Sequence, residues 1–196
     1  MYYNKNKKKN KGGAIMEKVE PIRDKDKIEL MKSDLLKQGY RNYMMFILGI
    51  NTGLRIGDLL KLKVNDVKER THIVLREQKS GKAKRFMIND RLKQEIDKYI
   101  QGMADDDYLF QSQKGDNRPI SRVQAYRILN GAAERIGLES IGTHTLRKTF
   151  GYWHYQQYKD VALLQDLFNH SAPSITLRYI GINQDAMDKT IEDFYL

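Results

Sequence analysis

T-H-T-L-R-K-T-F (143–150) and N-H-S-A-P-S-I-T-L-R-Y (169–179) decide the reading of this chain. They set His144, Arg147, His170 and Tyr179 in order within its last fifth. His144 and Arg147 are three apart, so on a helix they share a face. At a helix start the exposed N–H groups and the dipole favour an anion. Upstream, T-G-L-R-I-G-D (52–58) places Arg55 where one helix ends and another begins, again suited to a phosphate. K-S-G-K (79–82) puts Lys79 at the entry of a hairpin turn, with Lys82 and Lys84 as neighbours able to compete for its role.

Each of these residues also has an ordinary reading. Arg55 could pair with Asp58, three residues on. His170 alone reads as a structural hydrogen-bonder, and Tyr179 is one of 12 tyrosines that would normally only pack. Lys79 alone reads as a solvated turn residue. The set gains meaning from its order.

The bulk composition is consistent with a nucleic-acid partner. The 196 residues suffice for one domain with a core. The net charge of +10 favours a polyanion, nucleic acid first and an anionic membrane second. Lys5, Lys7, Lys8, Lys9 and Lys11 carry half of that surplus, and the rest is spread over the body. Residues 1–18 have too little apolar content to offset ordering entropy and are expected to be a basic, disordered tail. Cysteine is absent, which excludes disulfides, thiol catalysis and Cys–zinc sites and fits a reducing compartment. No apolar run approaches the roughly 20 residues of a bilayer span. Asp105–Asp107 resembles a metal loop only superficially, and no P-loop, dinucleotide fingerprint or nucleophile elbow is present.

Periodicity predicts a mostly α domain with a small antiparallel sheet. Helices are expected from Asp24 to Gly39 (with Ile28, Met31, Leu35 and Leu36 inward), 40–52, 56–62, 90–101, from Ser121 to 136, 144–158 capped by Thr143, 161–169 capped by Asp160, and 184–194. A short segment at 174–179 leads to Tyr179. Residues 71–78 and 84–89 read as a hairpin, and Tyr108–Phe110 as a third short strand.

With these motifs in place, the chain resembles the catalytic domain of a tyrosine recombinase, the group of phage integrases and Xer-type recombinases. The match covers about residues 20–196: T-G-L-R-I-G-D-L-L-K-L with a following N-D-V, the K-S-G-K hairpin, H-T-L-R-K-T-F, and N-H-S-A-P-S-I-T-L-R-Y. The resemblance implies the DNA breaking–rejoining fold and a 3′-phosphotyrosyl intermediate. In it Tyr179 is the nucleophile, and Arg55 and Arg147 grip the phosphate. Lys79 is the general acid, and His144 is a base or hydrogen-bond partner. His170 is a further donor, and Asp58 supports the site. It implies no metal or nucleotide cofactor, double-stranded DNA as partner, no membrane, a cytoplasmic setting, and a free monomer forming a tetramer on DNA through a C-terminal segment (184–196) passed to a neighbour. Three positions depart from the usual pattern: Phe168-Asn169 stands for Leu-Gly, and Lys148 for a frequent His. On this reading residues 19–196 are the catalytic domain, and the family's N-terminal core-binding domain is absent. That absence keeps a second reading open, a DNA-binding accessory or truncated module without turnover. A type IB topoisomerase is a closer variant.

Overall fold

The computed structural model describes residues 19–76, 83–139, 141–182, 191–192 and 194–195. Its elements run α1 (Lys25–Gln38), α2 (Tyr40–Thr52), α3 (Ile56–Leu59), β1 (His72–Arg76), β2 (Ala83–Met87), α4 (Asp90–Tyr99), α5 (Arg122–Arg135), α6 (Thr145–Tyr158), α7 (Val161–Phe168) and α8 (Pro173–Tyr179), with a 3-10 turn at Val64–Asp66. This is the expected mainly helical domain with one two-stranded antiparallel sheet. None of the helices described is long and apolar enough to cross a membrane.

α2 is the central helix. Met44, Met45, Phe46 and Leu48 are completely buried, so nearly its whole circumference meets protein. It packs against α1, α4 and α6. Its contact with α6 is close because Gly49 has no side chain: a Cβ there would lie 2.4 Å from Leu146 Cδ1. That approach brings Arg147, the next residue on α6, beside the end of α2. Gly53 terminates α2 in the left-handed region (φ 64°), where a side chain would be strained, and its N–H caps the Gly49 carbonyl. The chain thereby turns sharply enough to start α3 with Arg55 at its N-cap.

α7 and α8 form a smaller cluster, with Leu164, Phe168 and Ile180 buried together and Phe150, Leu177 and Tyr179 packed on them. Asp160 caps α7 as expected, accepting from the N–H groups of Ala162 and Leu163. An entry strap, 19–23, lies along α6. The Ile22 N–H donates to Thr149 Oγ1 (2.9 Å), the Trp153 indole donates to the Ile22 carbonyl (2.9 Å), and the Lys148 ammonium donates to the Val19 carbonyl (2.7 Å).

Several local expectations are corrected. Thr143 does not cap α6; His144 occupies the cap position without a side-chain cap bond, and Thr145 Oγ1 accepts from the Gly142 N–H instead. α3 is a single turn ending at Leu59, because the next residues are drawn toward Tyr108 and Leu109 by the Lys63–Tyr108 bridge and the Leu109 N–H to Leu62 carbonyl bond. For the same reason Tyr108–Phe110 makes isolated contacts rather than a third strand. α4 stops at Tyr99, and Leu36 is 48% exposed, outside the α1 face that is buried. Most of the expected C-terminal helix, including Met187, lies outside the described residues; Ile191 and Phe194 are exposed.

Candidate active site

Four backbone junctions deliver the site. The α2–α3 corner brings Arg55, the start of α6 brings His144 and Arg147, the end of α7 brings His170, and the last residue of α8 is Tyr179.

Arg147 joins them. It is only 5% exposed, and its two terminal nitrogens donate to the carbonyls of Gly53 (2.5 Å) and Phe168 (3.0 Å), the ends of α2 and α7. The guanidinium also lies 4.1 Å from the centroid of the Phe168 ring. Burial pulls its pKa down to about 10, against the pull of Tyr179 and Asp58 that favours the charge, so it is a cation at neutral pH. A guanidinium has five N–H donors, so two carbonyls leave donors for Tyr179 and an incoming oxyanion.

Tyr179 is packed edge-on against Phe168 (centroids 5.6 Å) and His170 (5.1 Å). Its hydroxyl lies 3.3 Å from His144 Nδ1. Burial raises its pKa above the ordinary 10.0, while Arg147 and Arg55 pull it back. The phenol is therefore protonated when free at neutral pH and becomes a better nucleophile as cations gather round it. One edge of His144 is open to solvent, yet partial desolvation, followed by Lys148, Arg147, Arg55 and Arg122, lowers its pKa below 6.5. His170 is lowered too, by burial, then Arg147, Arg55 and Lys84; its Nδ1 meets Thr176 Oγ1 at 3.0 Å. Both imidazoles are thus neutral at pH 7.

In front of these groups opens a cleft of about 540 Å³, lined in part by Arg55, Asp58, Arg147 and Asn169. Arg55 is exposed, and among the described residues it makes no ion pair with Asp58. Its charge nonetheless reaches His144, Arg147, His170 and Tyr179. The structure thus brings together Arg55, Asp58, His144, Arg147, His170 and Tyr179. Lys79 falls between β1 and β2 within 77–82, outside the described residues.

Cleft residues that the sequence reading did not select are Lys61, Arg76 and Arg122; Lys84 entered it only as a competitor of Lys79. Lys84 sits on β2 and donates to the Asp166 carbonyl at 3.0 Å. Arg122 reaches the site because Gly57 leaves room: a Cβ on Gly57 would lie 2.3 Å from its guanidinium. The only local clue was an Arg just inside a Ser-capped helix, and nothing in the sequence tied that helix to α3.

Residues 22–185 match the Phage integrase family. The probable integrase/recombinase YoeC of Bacillus subtilis is 53% identical over 167 residues, 85% of this chain and 92% of its own length. The tyrosine recombinase XerA of Pyrococcus furiosus is 28% identical over 159 residues, 80% of this chain but 55% of its own, so the chain spans about half of that relative. Among solved structures, a XerA recombinase superposes with a TM-score of 0.71 at 22% identity, covering 89% of this chain and 65% of that one. The XerH site-specific recombinase bound to its difH substrate gives 0.68 at 19% identity, with 91% and 55% covered. The chain belongs to the phage integrase family, as a tyrosine recombinase catalytic domain.

Proposed function

We propose that the protein is a site-specific DNA recombinase that cuts and rejoins strands through a covalent bond between Tyr179 and the DNA 3′-phosphate. The observation that carries the proposal is the Tyr179 hydroxyl, 3.3 Å from a neutral imidazole and beside a buried guanidinium. In the forward step the phenol oxygen attacks phosphorus and its proton passes to His144 Nδ1, which requires the tautomer with hydrogen on Nε2. Arg55 and Arg147 stabilise the charge on the non-bridging oxygens, and His170 donates through its other ring nitrogen. The P–O5′ bond breaks, and Lys79 gives the departing 5′-oxygen its proton. Asp58, in the lining of the same cleft, favours the charge on Arg147. A phenoxide leaves readily, so a 5′-hydroxyl of another strand reverses the chemistry and the phosphodiester energy is conserved.

Double-stranded DNA as ligand is supported by the positive cleft and by relatives whose structures are complexes with DNA substrates. Exchange between two duplexes needs four nucleophiles, so a tetramer on DNA, acting in the cytoplasm, completes the proposal. Residues 184–196 are its candidate linking segment, and deleting them is expected to impair synapsis more than DNA binding. The test of the activity is a nicked duplex from the DNA flanking the gene. The nick lets the cut 5′ fragment diffuse away, so a protein–DNA adduct accumulates and survives denaturation. Salt-dependent binding without any adduct on such substrates would instead leave a DNA-binding module.

A further inference from the structure

Lys148 is a buried cation with no part in the scheme above. It is 8% exposed, one residue beyond Arg147 on α6. Its ammonium donates to the Val19 carbonyl in the entry strap at 2.7 Å and lies 5.2 Å from the centroid of the Tyr179 ring. An ammonium within about 6 Å of an aromatic face is attracted to it. After burial it is also the foremost influence on the His144 imidazole, ahead of Arg147, Arg55 and Arg122. One side chain therefore lies over the ring of the nucleophile, acts electrostatically on the imidazole that meets its hydroxyl, and is itself held by the strap at 19–23.

We propose that Lys148 is a positioning residue for the His144–Tyr179 pair: anchored on the Val19 carbonyl, its ammonium seats the nucleophile's ring and sets a positive charge near the imidazole that meets its hydroxyl. The inference rests on Tyr179 being the nucleophile, but its test needs no DNA.

The chain has four histidines, so each imidazole can be followed by NMR through a pH titration, with His144 assigned by His144→Asn. Lys148→Gln keeps an N–H donor for Val19 and removes the charge. The account expects the protonated fraction of His144 at a fixed pH near neutrality to rise about threefold, as loss of one nearby screened charge predicts. The Tyr179 ring resonances, assigned by Tyr179→Phe, should shift as well. Lys148→Arg retains the charge and should leave the His144 titration where it was. An unchanged His144 titration in Lys148→Gln would mean that Lys148 only fastens the strap. A return of His144 to ordinary behaviour in Lys148→Arg would equally overturn the proposal. Failure of the wild-type chain to form a DNA adduct would count against the proposed function alone.

Discussion

Replacing Arg147 by lysine separates structural from chemical work in one residue. The guanidinium satisfies two buried carbonyls, at Gly53 and Phe168, which belong to the segments carrying Arg55 and His170. A hydrogen bond to a charged group contributes about 1.5–3 kcal/mol, so losing both would cost roughly 3–6 kcal/mol. Lysine's ammonium can recover one of them, which leaves a net loss of about 2–3 kcal/mol. For a domain of this size that is a fall in Tm of roughly 4–12 °C. On the proposed mechanism the same change removes the planar fork that grips the phosphate, and loss of one such donor typically slows the chemical step about 10²–10³-fold. Urea denaturation measures the first effect, and the rate of adduct formation on a nicked duplex under folding conditions measures the second. Arg147→Lys with stability within about 0.5 kcal/mol of wild type and cleavage within about tenfold would refute the claim that this side chain ties the two segments and grips the phosphate.

Acid should weaken both stability and cleavage. His144, His154 and His170 all have pKa values lowered in the fold, so the unfolded chain binds more protons as pH falls; their stabilisation is complete above 6.5 and is lost as pH drops through the lower folded values. Urea midpoints measured from about pH 7.5 down to about pH 5 should fall, and the cleavage rate should fall with protonation of His144; a flat profile for both would contradict the assignment. Gly151→Ala would place a Cβ 2.7 Å from Ile180 Cγ2 and from Phe168, next to Tyr179, so cleavage should drop about tenfold or more while DNA binding holds; equal losses in both would point to general unfolding. Lys79→Ala should cleave slowly with an oxygen leaving group and be restored by a 5′-sulfur, which needs no proton to depart; absence of rescue would remove Lys79 as the acid.

The helices were legible where caps and periodicity agreed. Ser121 and Asp160 each cap the helix expected of them, α1 begins just behind Asp24, and Gly39 and Gly53 end theirs. Errors arose where tertiary contacts overrode local signals. Lys63 and Tyr108 pair across the chain, which ended α3 early and spent Tyr108 on a single bridge. The site was legible as an ordered list of motifs, yet its keystone was not. Nothing in H-T-L-R says that Arg147 reaches the carbonyls of Gly53 and Phe168, because that depends on Gly49 letting α6 approach α2. The placements of Arg122 and Lys148 were hidden for the same reason: they come from packing across elements and leave no spacing to read.

The central claim is that Tyr179 is the residue that becomes joined to DNA. Digesting the trapped adduct to peptides and nucleotides and mapping the linkage by mass spectrometry tests it directly. The account predicts a 3′-nucleotide on the peptide containing Tyr179, and no adduct from Tyr179→Phe, with DNA binding by that variant retained. A linkage to any of the other tyrosines, or an undiminished adduct from Tyr179→Phe, would contradict it.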